Sequence, residues 1–178
     1  MKQKLIIISG SPCVGKTTVA EELFVLYENC AHLDDDWVWR VNPFSFDDPR
    51  NDRIYENMSF VLSGYLNLKF QYIFLSTVRL MEDRELFLKK VTAINYMTIG
   101  FTLTCSEKTL TERHKKRGDK GEVSFKWLRK PPVPGDYLIN TDDKTVEQIV
   151  DELKNIIDAK TKKDVKFAES ILNTSEGK

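Results

Sequence analysis

The chain has 178 residues, with 27 basic and 27 acidic side chains and a hydrophobic fraction of 41%. That length fits one domain with room for a small insert, the hydrophobic fraction fits a real core, and the balanced charge excludes a global field aimed at nucleic acid or an anionic membrane. Three cysteines, Cys13, Cys30 and Cys105, show no metal-ligand spacing and read as the reduced thiols of a cytoplasmic protein.

Residues 4–8 are β-branched and apolar with no polar alternation, the pattern of a central parallel strand buried on both faces. The run is too short for a signal peptide or a membrane span. It leads into Gly10-Ser11-Pro12-Cys13-Val14-Gly15-Lys16-Thr17, which fits G-x-x-x-x-G-K-[ST], and Thr18 carries the chain on into a helix expected over 16–27 with Ala20, Leu23, Phe24 and Tyr27 as its apolar stripe. The chemistry of such a loop is backbone chemistry. Glycines let it curl until successive N–H groups face one concavity, and the helix start beneath adds its positive dipole end. Lys16 would then reach the β- and γ-phosphates of ATP, and the Thr17 hydroxyl would ligate Mg²⁺.

A second short strand at 30–33 ends in Asp34-Asp35-Asp36, followed by Trp37, Trp39 and Arg40. A helix start at Asp47-Asp48-Pro49 leads to helical spacing of Ile54, Met58, Val61, Leu62 and Tyr65 up to about residue 68. Further strands are expected over 70–75, closing at Ser76-Thr77, over 96–104, interrupted by Gly100, and over 137–140. Helices are expected over 82–91, 106–117 and 145–157, the last with a stripe of Val146, Ile149, Val150, Leu153 and Ile157. Residues 161–178 read as a charged tail with a hint of one more helix, outside a main domain of residues 1–160. Strands alternating with helices give an α/β fold, an open parallel sheet with helices on both faces, whose ligands bind beyond the carboxyl ends of the strands.

Residues two apart on a strand point the same way, so Asp34 and Asp36 should face the phosphate edge together, with Asp35 turned aside. Phosphoryl transfer wants one carboxylate near Mg²⁺ and one near the acceptor hydroxyl. The plain alternative is an acidic turn that caps the next helix. The strand at 70–75 ends without a carboxylate, which argues against a motor or switch ATPase and makes Asp34 the Mg²⁺-side residue. Trp37, Trp39 and Phe44, with Arg40, Arg50 and Arg53 near them, suit either an acceptor pocket or the packing of a helix on the sheet. Residues 113–135 are basic. Arg113 and Arg117, at i and i+4, suit a lid over the γ-phosphate, whereas Lys115, Lys116 and Lys120 read as a solvated face. Aromatic residues are sparse there, Phe125 and Trp127 alone, so a nucleic-acid surface is not expected. His32 and His114 have no partners at ligand spacing and read as ordinary polar positions.

The phosphate loop, the Asp-x-Asp after the second strand and the Arg-x-x-x-Arg of the basic segment together resemble the small P-loop kinases, among them shikimate kinase, gluconate kinase, chloramphenicol phosphotransferase and the nucleoside monophosphate kinases. The stretch Leu33-Asp34-Asp35-Asp36-Trp37-Val38-Trp39 with Pro43-Phe44 is similar to uncharacterised bacterial members of that group. The resemblance implies a three-layer P-loop NTPase fold, a five-stranded sheet of order 2-3-1-4-5, and ATP as phosphate donor. It implies Asp36 beside a small-molecule acceptor, Asp34 near Mg²⁺, Arg113 and Arg117 in the lid, Arg129 following it, and Thr141-Asp142 in the loop that passes the adenine. Two departures leave the acceptor open: Ser76-Thr77-Val78-Arg79 stands where shikimate kinases carry a Gly-rich turn, and the acceptor insert of nucleoside monophosphate kinases is not evident. The expectation is transfer of the γ-phosphate to a hydroxyl. The alternatives are a phosphate acceptor, as in nucleoside monophosphate kinases, and a nucleotide-binding regulatory module.

Overall fold

Four consecutive apolar residues, Leu5 to Ile8, have no solvent exposure at all, and they can be buried on both faces only in the middle of a sheet. In the structure, a computed structural model that describes residues 2–45, 47–78 and 82–175 (side chains of 82 and 164–175 excepted), they form β1 (Gln3–Gly10). On one side β1 pairs in parallel with β3 (Tyr72–Thr77), on the other with β4 (Tyr96–Thr104). β2 (Cys30–Asp34) and β5 (Tyr137–Asn140) complete a sheet of order β2-β3-β1-β4-β5.

Helices cover both faces. Ile6 and Ile8 pack with Val19, Ala20 and Leu23 of α1 (Lys16–Phe24) and with Ile149, Leu153 and Ile157 of α5 (Val146–Ser175). Leu5 and Ile7 pack with Ile54, Met58, Leu62 and Leu66 of α2 (Arg53–Asn67) and with Phe87 of α3 (Glu82–Leu88). Burying each of the larger of these apolar side chains is worth about 1.5–3 kcal/mol. α4 (Glu107–Arg117) starts on Ser106, whose hydroxyl accepts from Thr109 N, and ends on Gly118 in the left-handed region that closes a helix.

Several boundaries differ from the sequence reading, among them the helix expected from Asp47-Asp48-Pro49, which opens as a 3-10 turn over Pro49–Asp52 before α2 begins at Arg53. The first helix stops at Phe24, because the chain tightens through Leu26 N to Leu23 O; Tyr27 still packs on Tyr72 and Phe74, and its hydroxyl donates to Asp158. The third strand starts at Tyr72, after Lys69 takes a left-handed turn at φ 66°, and it runs on through Ser76 and Thr77. The helix expected over 82–91 ends at Leu88. The last helix does not stop near Ile157 but continues to Ser175, since the Lys-rich stretch holds no Gly or Pro to break it.

Candidate active site

The phosphate loop joins β1 to α1. Gly10 is required: a Cβ there would lie 2.6 Å from Leu103 O and 3.0 Å from Val14 Cγ1. Cys13 (φ 64°) and Gly15 (φ 105°) are both left-handed, the kind of turn that brings successive N–H groups to one side. No side chain caps α1, so its first-turn N–H groups have no side-chain acceptor, and the buried Ser11 Oγ has no hydrogen-bond partner. Orphan donors around a curled loop fit an anion such as a nucleotide phosphate. Lys16 is buried beside them, and its ammonium donates to Ser11 O at 3.0 Å. Burial lowers its pKa, while Asp35, Asp34 and Asp36 pull it back up.

The carboxylates opposite the loop come from the end of β2. Asp34 accepts from Thr17 Oγ1 at 2.7 Å, from Ser76 Oγ and from Asp36 N at 3.0 Å. The last bond makes Asp34 the cap of a 3-10 turn over Asp35–Trp37. That turn overturns the expectation for Asp35. The chain stops being extended after Asp34, so the alternation of faces stops too, and Asp35 is buried inside the site rather than turned aside. It accepts from Thr77 Oγ1 at 2.7 Å and from Val78 N at 3.1 Å. Burial pushes its carboxyl pKa up, and those two bonds resist the shift. Asp36 is exposed at the mouth. Oxygens of all three carboxylates lie within 4.8 Å of one another, and with the Thr17 hydroxyl beside Asp34 they make a donor set of hard oxygens that fits Mg²⁺.

The hydroxyls at the end of β3 therefore stand where another P-loop protein would carry a carboxylate, and they hold the acidic residues of β2 in place. His32, read from the sequence as an ordinary polar position, belongs to the same network. The Ser76 hydroxyl spends its one hydrogen on Asp34, so His32 Nε2 donates to Ser76 Oγ at 3.2 Å. Burial lowers the His32 pKa, and the Trp37 ring stands edge-on against it at 5.0 Å.

Arg113 and Arg117 diverge. Arg113 donates to Val14 O, to Thr141 Oγ1 and to Thr141 O, each at 2.9 Å, so it ties α4 to the phosphate loop and to the end of β5 rather than reaching over the phosphates. Arg117 lies at the surface between Asp119, 3.2 Å away, and the Cys13 sulfur. Val123, Phe125 and Leu128 of the segment between α4 and β5 pack on the core.

One cavity of about 1040 Å³ takes in the loop, the three carboxylates and the mouth of the sheet. It is lined by Pro12 through Thr18, Asp34 to Asp36, Trp37, Trp39, Phe44, Asn51, Asp52 and Tyr55, and by Arg113, Arg117 and Trp127 among others. Three expected acceptor residues do not line it. Arg40 is exposed, Arg53 pairs with Glu56 on the outer face of α2, and Arg129 pairs with Glu107 at 2.7 Å. Arg50 is likewise spent on Asp48, whose pKa it holds down at about 2.

The sequence reading also missed Arg84 and Asp136, which form a buried ion pair at 2.6 Å under the sheet edge. Arg84 donates to Ser9 Oγ and Thr102 Oγ1 donates to Asp136, so the pair ties α3, β1, β4 and the start of β5 together. The signal was Gly100, where a Cβ would lie 1.8 Å from Asp136 Oδ1.

The fold and this loop define a P-loop protein. Residues 5–130 match the family model of the AAA domain, and the chain belongs to that family. Its fold is similar to those of Deinococcus radiodurans tunicamycin resistance protein (15% identity, TM-score 0.67, 88% of this chain and 96% of that one) and Mycobacterium tuberculosis APS kinase in complex with AMPPNP and APS (16%, 0.65, 88% and 98%). It is also similar to that of a gluconokinase from Sinorhizobium meliloti 1021 (16%, 0.61, 85% and 89%). A search of curated protein sequences gives no match. Among the described residues no helix is long and apolar enough to cross a membrane.

Proposed function

We propose that the chain is an ATP- and Mg²⁺-dependent phosphotransferase that moves the γ-phosphate to a hydroxyl of a small molecule. The observation that carries this reading is one cavity lined by both an uncapped phosphate loop and three clustered carboxylates, which meet at the Thr17–Asp34 hydrogen bond. The loop amides and Lys16 hold the β- and γ-phosphates, whereas Thr141, fully buried against Arg113 and Thr104, does not line the cavity and is not given the adenine-side contact expected of it. Mg²⁺ held by Thr17 and Asp34 would supply charge neutralisation at the phosphate oxygens. Ser76 and Thr77 fix Asp34 and Asp35 so that neither reorganises during transfer. Asp36, the exposed carboxylate, accepts the proton of the acceptor hydroxyl as that oxygen bonds to the γ-phosphorus and ADP leaves with the bridging oxygen. Arg117 swings from Asp119 onto the γ-phosphate. Arg113 acts as a positioning residue, because its donors are engaged by the loop and β5.

Two variants test the assignment by ATP binding and by acceptor-dependent ADP release. Lys16→Ala should lose both ATP affinity and turnover. Asp36→Asn should bind ATP as the wild type does and lose turnover by about 10²–10⁴-fold, the usual worth of a positioned base. Turnover at the wild-type rate in Asp36→Asn would remove its role.

A further inference from the structure

Strand register brings three polar side chains together near the carboxyl end of β2. His32 and Asp34 are two apart on that strand and so share a face, and Asp34 pairs across to Ser76 of β3. On this face His32 Nε2 lies 3.2 Å from Ser76 Oγ, and Ser76 Oγ lies 2.5 Å from Asp34 Oδ2. Thr17 Oγ1, from α1, reaches the same Oδ2 at 2.7 Å. A hydroxyl has one hydrogen to give. Ser76 and Thr17 both give theirs to Asp34, whose other oxygen accepts from Asp36 N. The hydrogen between His32 and Ser76 is therefore the one on Nε2, and the donors run one way, from His32 to Ser76 to Asp34. Thr17 lines the cavity, and with its hydrogen turned to Asp34 its oxygen has lone pairs alone to offer a cation there. The imidazole stands between two rings, with the Phe24 centroid 6.3 Å away and that of Trp37 5.0 Å away.

We infer that His32 is a positioning residue for the Mg²⁺ site: acting through Ser76, it fixes the direction of the hydrogens around Asp34 and so the side of Thr17 that meets the cation. This rests on the reading of Thr17 and Asp34 as the Mg²⁺ side of a phosphotransferase, and it adds a residue that acts on the metal only through others. An Nε2 that presented a lone pair would compete with Asp34 for the single hydrogen of Ser76. An Nε2–H removes that competition and leaves the Ser76 hydrogen on the carboxylate. Without the donor the Ser76 hydroxyl is free to rotate, and Asp34 loses part of what holds it against Thr17. The cation must then order the carboxylate as it binds, which weakens binding, as the loss of outer hydrogen-bond partners does at other metal sites.

The test is calorimetric binding of ATP to the full chain, once in EDTA and once with saturating Mg²⁺; the ratio of the two Kd values is the tightening that the metal gives. His32→Phe keeps a ring and removes the donor. It should bind metal-free ATP within about twofold of the wild type and lose about tenfold of the Mg²⁺ tightening, the lower end of what outer partners of a metal site are worth. Ser76→Ala cuts the same chain of bonds in its middle and should lose as much, and the double variant should lose no more than either single one. His32→Gln, which has an amide N–H to give, should recover most of the loss. Should His32→Phe not fold, His32→Leu takes its place. Unchanged Mg²⁺ tightening in His32→Phe would overturn the role of His32. So would additive losses in the double variant, His32→Gln as weak as His32→Phe, or an equal loss of metal-free ATP binding, which marks general damage to the site. All of these leave the phosphotransferase reading standing. A wild-type chain that binds ATP no more tightly with Mg²⁺ than in EDTA would overturn the Mg²⁺ assignment of Thr17 and Asp34, and the role of His32 with it.

Discussion

Gly100 shows how much one missing Cβ can settle. The Arg84–Asp136 pair lies against the bare backbone of β4, and both partners are buried. Gly100→Ala would force the carboxylate off its guanidinium, and breaking a buried pair costs about 3–5 kcal/mol. Denaturant unfolding should show a loss of that size, with Tm falling by more than 6 °C at roughly 2 °C per kcal/mol. Tyr27 gives a cleaner test at the same scale. Burial and the hydrogen bond to Asp158 raise its phenol pKa above the ordinary value. A raised folded-state pKa favours the neutral phenol, so this stabilisation is complete below the ordinary tyrosine pKa and is lost as pH rises through the folded value. Tyr27→Phe should cost about 1 kcal/mol near neutral pH, one hydrogen bond's worth, and the gap to the wild type should close above about pH 10. Parallel Tm curves across that range would rule out the linkage.

At the scale of elements, the parts legible in the sequence are those with strong local patterns. β1, β4, β5 and α4 lie where their residues put them, and the phosphate loop is marked by two glycines with steric reasons to be there. What stayed hidden depends on long-range contact. The three aspartates form a continuous acidic run, and it is the Asp34 cap on Asp36 N and the bonds from Thr77 and Val78, a strand away, that hold Asp35 in the site. Arg113 and Arg117 look equivalent at i and i+4, yet Arg113 is captured by Val14 and Thr141, which no periodicity encodes. That capture carries its own prediction. Arg113→Ala frees the end of β5 from the loop, and ATP affinity should fall about tenfold, or roughly 1.4 kcal/mol, by calorimetry. The far-ultraviolet spectrum should stay that of the wild type. An unchanged Kd would mean that the tie does not shape the nucleotide site.

For the molecule as a whole, the loop and cavity sit at the centre of one cooperative sheet, so filling them should be felt everywhere. Mg·ATP at about 100 times its Kd adds about 2.7 kcal/mol to the folded state, which in a chain of this size raises Tm by roughly 5–10 °C. Lys16→Ala should lose that shift while unfolding near the wild-type Tm without nucleotide. A shift preserved in Lys16→Ala would place the nucleotide elsewhere.

The position of β1 has a further cost, in time. It is the first strand to be synthesised and the middle one to be built, because its partners begin at Tyr72 and Tyr96. Until those strands exist, Leu5 to Ile8 have nothing to pair with, and parallel pairing across such separations forms slowly. The nascent chain therefore carries this apolar segment without a strand partner until β3 has been made. A chain halted at residue 70 should aggregate or be held by a chaperone, whereas one reaching residue 157 already contains every strand of the sheet. The segment that anchors the nucleotide in the finished protein is thus the one most exposed to misassembly while the protein is being made.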